Sequence, residues 1–516
     1  MREFVKGHVA EITIFAACIS FLNIYKLCFH VIGVDTELAL MDFESSLNWT
    51  LGSGRFASAF FRKLVMPGGF NYDMALLYLI LGWLCVCLGY IYCLEKSGLK
   101  NRFLNFFFSA VFVSCPIWCE QNYFLCSMFI NVYGIVTALI SAYLFLQCLT
   151  DKGNRLKCVG AVVTAVIAIG IYQALLYLLA ADFVMLLTWK YYLENKKISG
   201  YIQAIFKFLG FIVVCVGIYF AFAHVSRAMF YKGDLDYAGY TYSSNYVSSN
   251  ISWLSQSFTN CIENIKKEIL LSFDKNNTYG IVWYPITFMA LEAICVIRFA
   301  FGRERKASIL ILGGALMLPF VFAGSIIKGN LIAVREQFVL PLFITFCVCM
   351  TAYTIIEWAD GLQKSIRKAI LGLLIALCTC ITLSFSGKQL LINRTDYVRY
   401  ELDVTYADSL AEKIRNSVGD FSQRKIIFIG SSNRKLPEAY LQGQVIGGSI
   451  FAWDSASPSG VNYRSYAMMN ACGYGYIKPS LEEIQHAFEQ CEKTDVFSSE
   501  EIVLYDDTVM VNLNML

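Results

Sequence analysis

GVDTELALMDFESSLNWTLGSGR, residues 33–55, begins where the first long apolar run of the chain stops, and its carboxylates Asp35, Glu37, Asp42 and Glu44 fall within ten residues. Acids flush with a membrane-buried segment lose solvation, so they persist there only with water, partners or chemistry to perform. Asp35 and Glu37 lie nearest the end of the apolar run. The rest of the chain is therefore read for what it could hold in front of them.

On either side the composition is that of a membrane protein. The 516 residues are 57% hydrophobic and 15% aromatic but only 16% charged, with a mean hydropathy of +0.54. Soluble domains carry about a quarter charged residues. A net charge of +3 with dispersed basic residues offers no nucleic-acid face. Most of the nineteen cysteines, such as Cys18, Cys93, Cys215 and Cys347, lie in apolar runs and read as small hydrophobes. Cys85 with Cys87 and Cys378 with Cys380 lack the spacing and histidine partners of a zinc site. Cys472 and Cys491 in the tail could pair. Arg2 and Lys6 before the first apolar stretch have a signal-peptide shape, but no small-residue cleavage site follows, so the stretch reads as a retained helix.

A helix needs roughly 20 apolar residues to cross a bilayer, which places about eleven spans in the chain. They lie near 9–32, 73–93, 103–119, 123–149, 158–171, 174–193, 203–225, 281–299, 307–327, 337–358 and 369–386. The fifth and sixth meet at Tyr172-Gln173 and could be a bent pair or a re-entrant turn. Short basic loops follow every even-numbered span: Lys96, Lys100 and Arg102; Lys152, Arg155 and Lys157; Lys190, Lys196 and Lys197; Arg298, Arg303, Arg305 and Lys306; Lys364, Arg367 and Lys368. That bias places those loops and the N-terminus in the cytoplasm. The loop 33–72, the long loop 226–280 and the tail 387–516 then face outward. The expected division is a membrane domain, 1–386, and an extracytoplasmic α/β domain, 387–516.

In the outer loop, residues 42–50 read as one short helix broken by Gly52 and Gly54. Phe56, Phe60 and Leu64 then recur at helical spacing opposite Arg55, Arg62 and Lys63, as in a helix lying in the membrane interface. In the tail, Thr395-Asp396 reads as the cap of a helix to about 416. Residues 425–430 read as a buried strand, 479–490 as a helix, and 501–512 as a hairpin. The cytoplasmic loops are too short for a nucleotide-binding domain and contain no Gly-rich phosphate cradle. Chemistry outside the membrane then needs a donor delivered on a lipid.

Transfer of a sugar from a polyprenyl phosphate to a hydroxyl calls for a carboxylate to take the proton and a cation to hold the leaving phosphate. Asp35 and Glu37 are the candidate acids. Arg55, Arg227, Lys328 and Arg335 are outward cations at membrane ends, although headgroup contact would also explain them. Asp42 and Glu44 fit either a sugar contact or the first turn of a helix. Trp49, Glu120, Tyr172 and Gln173 are candidate sugar or acceptor contacts, with helix-end hydrogen bonding as the ordinary alternative for the last three. The histidines His8, His30, His224 and His486 are scattered and form no catalytic grouping. No metal ligand set is identified, and a divalent metal is left open.

The order of these features resembles a known family: a first span, Gly33-x-Asp35-x-Glu37, Trp49-x-x-Gly52-x-Gly54-Arg55, a Pro-containing third span ending in Glu120, Tyr172-Gln173, and a closing hairpin through Val509 to Leu513. This is similar to the Gtr-type bacterial glucosyltransferases that decorate surface polysaccharides such as O-antigen. The resemblance implies a polytopic α-helical fold of the C class of glycosyltransferases. It implies undecaprenyl-phosphate glucose or a similar donor, a surface polysaccharide acceptor, and inversion at the anomeric carbon. It further implies work alongside a small flippase and a donor-synthesising glycosyltransferase. The family's outer-loop acids fall on Asp35 and Glu37, its Gly-Arg on Gly54-Arg55, and its Tyr-Gln on Tyr172-Gln173. Here the acids are separated by Thr36 where adjacent acids are common, and Asp35, nearer the helix end, is taken as the base. Two other functions share the outer location. A flippase or transporter of lipid-linked sugars would use mid-span charges such as Lys26 and Asp182, and a polysaccharide polymerase or ligase would carry its main loop later.

Overall fold

A computed structural model describes residues 2–150, 154–232, 258–271, 273, 281, 283–302, 306–432, 436–437, 439–455, 457–493, 501–505 and 507–515. Lys152, Arg303, Arg305 and most of the 226–280 loop lie outside the described residues.

Helices occupy all the apolar runs. Six are long and apolar enough to cross a membrane: Tyr72–Lys96, Leu125–Thr150, Leu175–Leu193, Ile198–Phe230, Val339–Ala359 and Lys364–Val418. The helices Val9–Leu22, Arg102–Ser114, Arg155–Ile171, Trp283–Gly302 and Ala307–Val321 fill the other runs. Leu125–Thr150, Leu175–Leu193 and Val339–Ala359 are largely buried within the bundle, whereas Ile198–Phe230 and Lys364–Val418 flank it. On these flanking helices Phe206, Val213, Leu373 and Leu383 point outward. Such apolar exteriors suit a lipid surround and would be a liability in water. The chain is a membrane protein. The fifth and sixth runs are separate helices, ending at Ile171 and restarting at Leu175, with Tyr172 between them in extended backbone.

The mid-span charges are engaged inside the bundle. Lys26 Nζ lies 3.3 Å from Asp396, and Tyr90 donates to Asp182 at 3.0 Å. Cys148 and Cys158 are disulfide-bonded to each other; the other cysteines are free, Cys472 and Cys491 included. The bond sits at the end that the charge bias assigns to the cytoplasm, where thiols are ordinarily kept reduced.

One expectation is overturned in the tail. Thr395-Asp396 starts no helix, because the last apolar run and the following polar stretch form one continuous helix of 55 residues, Lys364–Val418. At 1.5 Å per residue it is roughly 80 Å long. Its middle stays helical because its polar side chains are consumed by neighbours. Gln389 donates to the carbonyls of Val113 and Cys115, Asn393 to Leu22, and Arg399 to Asp396 and Ile32.

Beyond it, Tyr406, Leu410 and Ile414 enter the core of a small α/β segment. Its sheet has the order β1-β3-β2, with β1 (Lys425–Ile429) parallel to β3 (Thr508–Asn512) and β2 (Ile502–Tyr505) antiparallel to β3. Alternation sorts the strand side chains onto two faces. Ile426, Phe428, Val509 and Val511 pack with Met468 and Phe451, while Ile427 and Met510 meet Ile484 of the Leu481–Lys493 helix.

Candidate active site

Short elements gather at one end of the bundle: the helices Thr36–Met41, Phe43–Gly52, Phe56–Val65 and Trp118–Asn122, the 3₁₀ turn Val334–Glu336, and the tail helix Pro458–Ala471. The stretch 30–35 is wound tightly to place its acids. His30 and Asp35 both have positive φ, 48° and 66°. A Cβ on Gly33 would lie 2.2 Å from the Tyr123 carbonyl oxygen, so only glycine passes there. Tyr72 and Arg399 donate to the carbonyls of Val31 and Ile32, fixing the approach from both sides.

Asp35 and Glu37 come together on one guanidinium, supplied by the tail. Arg464 donates from Nη2 to Asp35 Oδ1 at 2.8 Å, from Nη1 to Glu37 Oε1 at 2.6 Å, and from Nε to Asp454 Oδ2 at 2.8 Å. The two acids differ in setting. Asp35 is partly exposed and lines a cavity, whereas Glu37 is fully buried. Burial pushes the Glu37 carboxyl up to about 7, aided by the charge of Asp35 and opposed by Arg464.

The cavity has a volume of about 120 Å³ and is walled by Asp35, Trp49, Arg55, Arg62, Tyr172 and Arg335, with Ser46, Thr50, Gln121, Ser127 and Asn131 among its polar lining. Arg55, at the start of the Phe56–Val65 helix, stacks 4.3 Å over the Tyr172 ring and 5.8 Å from the Trp49 ring. Its Nε donates to Gln173 Oε1 at 3.3 Å, while Gln173 Nε2 donates to the Ser53 carbonyl at 2.8 Å and Tyr219 donates to the Gly54 carbonyl at 3.2 Å. The Gly-Arg and Tyr-Gln motifs are thus one clamp. It presents a planar cation to the cavity with its rotamer already fixed, a geometry suited to phosphate oxygens.

The other candidates are distributed unevenly. Arg335 lines the cavity, 5.1 Å from the Phe124 ring, and Lys328 is paired with Glu336 on the adjacent turn. Arg227 stacks on Tyr231 and is absent from the cavity wall. Asp42 caps the Phe43–Gly52 helix, accepting from Ser45 N at 3.0 Å, and Glu44 pairs with Lys63 in the open. Both play the local role of first-turn acids. Glu120 is fully buried and turned to the tail, accepting from Gln444 N at 2.7 Å and Val445 N at 3.2 Å, so it docks a loop and does not line the cavity.

Two arginines lie outside the candidates that the sequence offers. Arg62 is on the polar face of the interfacial helix, opposite Phe60 and Leu64. In the structure Phe60 and Leu64 are 63% and 62% exposed, and Arg62 is 1% exposed, donating to Thr50 Oγ1 and Ser46 Oγ at 2.8 Å. At a membrane end the apolar phase is outside, so the amphipathic helix turns its polar face inward. Arg464 carried one signal: it is the single charged residue of the Pro458–Ala471 helix. A lone buried cation must find its anions elsewhere. Among the described residues no cluster of three or more His, Cys, Asp or Glu side chains is arranged to hold a metal ion.

The unequal burial of the acids yields a pH prediction. Glu37 titrates near 7 when folded against 4.5 as its ordinary value. The folded state therefore holds that proton more tightly, and the resulting stabilisation is present below about 4.5 and lost as pH rises through 7. Glu37→Gln, which keeps the neutral shape, should flatten the decline in melting temperature across that window. Equal slopes for variant and wild type would contradict the assignment.

No curated protein matches the chain. Residues 25–352, well over half of the chain, match the glucosyl transferase GtrII family. The match takes in Asp35, Glu37, Arg55, Arg62, Tyr172, Gln173 and Arg335 and ends before Arg464. The chain belongs to the GtrII glucosyl transferase family, and it is a membrane-embedded glycosyltransferase.

Proposed function

We propose that this transferase moves glucose, or a similar sugar, from a polyprenyl-phosphate donor to a surface polysaccharide on the outer face of the bacterial cytoplasmic membrane. The observation that carries the reading is a carboxylate, Asp35, and a stacked guanidinium, Arg55, on the wall of one cavity at the end of an apolar bundle. An acceptor hydroxyl oxygen attacks the anomeric carbon as Asp35 takes its proton. The bond from that carbon to the phosphate oxygen breaks, the electron pair leaves on the polyprenyl phosphate, and Arg55 with Arg335 balances the charge. Attack opposite the leaving phosphate inverts the anomeric centre. Arg62, with Ser46 and Thr50, lines the remaining wall and offers donors to sugar hydroxyls.

The orientation rests on the basic loops and is supported by the arrangement of the ends. Arg298, Lys306 and Glu357 meet by Tyr192, and Leu193 packs near Gly98, at the opposite end of helices whose other ends adjoin the cavity. A transporter reading would call on Lys26 and Asp182, but these are committed to Asp396 and Tyr90. Removal of the chain from its host should cost the surface polysaccharide one side-branch hexose per repeat with backbone length unchanged. Unaltered glycan, or shortened chains, would favour a different activity.

A further inference from the structure

Arg464 is 3% exposed, so the direction of its guanidinium is set by protein partners and not by water. The charged groups it faces are Asp35 and Glu37 from the Thr36–Met41 turn and Asp454 from the loop before its own helix. Asp454 is wound at φ 57° against Gly460, where a Cβ would lie 2.6 Å from the Asp454 carbonyl oxygen. Held at Nε by this tight loop, the planar fork can aim Nη1 and Nη2 at two separate carboxylates. Arg464 engages Oδ1 of Asp35, and among the described residues no hydrogen bond is made to Oδ2, the oxygen that would receive the proton.

Docking of the tail has anchors of its own. Glu120 accepts from the backbone of Gln444 and Val445, and Val334 N donates to Gln444 at 2.8 Å. A tether does not require a cation aimed at Asp35 and Glu37.

We propose that Arg464 is a positioning residue for Asp35, and that the α/β tail thereby completes a transfer site whose other residues lie within the stretch shared with the family. The inference rests on the transferase reading above. Arg464, bound to Oδ1, fixes which oxygen of Asp35 faces the acceptor.

Full-length protein in proteoliposomes, given polyprenyl-phosphate [¹⁴C]glucose and polysaccharide, tests this with R464Q, R464K and D454N. Arg464→Gln should lower kcat by about 10–100-fold and leave the KM for the lipid donor within about two-fold. Guanidinium salt should restore part of the loss, and Arg464→Lys should be intermediate because an ammonium cannot span the carboxylates. Wild-type kcat in R464Q would overturn the proposal. So would a fall in kcat with a matching rise in donor KM, unrescued by guanidinium, which is the mark of a tether. Should R464Q not fold, Asp454→Asn loosens the Nε contact: a smaller loss of kcat with donor KM unchanged supports the proposal, and wild-type kcat overturns it. A wild-type protein that transfers nothing would instead overturn the transferase reading together with this one.

Discussion

Asp35→Asn is expected to lower sugar transfer by about 10²–10⁴-fold, the usual contribution of a general base, with little change in melting temperature. The substitution keeps the shape, and the amide oxygen can still accept from Arg464, which retains its bonds to Glu37 and Asp454. The loss should therefore fall on kcat and not on donor KM. Glu37→Gln makes the comparison informative. Glu37 is fully buried and absent from the cavity wall, so its loss should cost far less. Initial rates with labelled donor, beside thermal unfolding in the same detergent, decide the matter. Near-equal losses in the two variants would refute the assignment of the base to Asp35.

Arg55→Met should reduce transfer by about 10²–10³-fold, the scale seen when one preorganised donor to a developing anion is removed. Arg55→Lys should recover little of this. The native side chain is planar, stacks on Tyr172 and reaches Gln173 through Nε, and an ammonium supplies neither the stack nor the fork. If Arg55 holds the lipid phosphate, donor concentration should not rescue kcat. Full activity in Arg55→Lys would reassign Arg55 to headgroup contact and leave Arg335 as the phosphate cation.

The bundle was legible because lipid reverses the usual ambiguity of apolar runs: long uncharged stretches have one stable form. The fused 55-residue helix was not. Thr395-Asp396 has the chemistry of a cap, but Asp396 is buried with Lys26 and Arg399, and that pairing outweighs a local preference. In the site, the Gly-Arg and Tyr-Gln motifs were readable because each is contiguous and its neighbours are apolar. Arg464 was not, since it meets Asp35 across 429 positions and only the fold makes them adjacent. Arg62 lies on the polar face that the spacing gives it, but that this face turns onto Ser46 and Thr50 depends on the fold. Glu120 shows the limit of counting acids near membrane ends, for it spends its charge on the backbone of Gln444 and Val445.

The most direct measurement is the stoichiometry of the reaction in purified, reconstituted protein: polyprenyl phosphate released against sugar gained by the polysaccharide. One lipid phosphate freed for each sugar attached, with both falling together in Asp35→Asn, is the result expected of this cavity. Movement of the intact lipid donor across the bilayer without release of its phosphate, equally in wild type and variant, would contradict it.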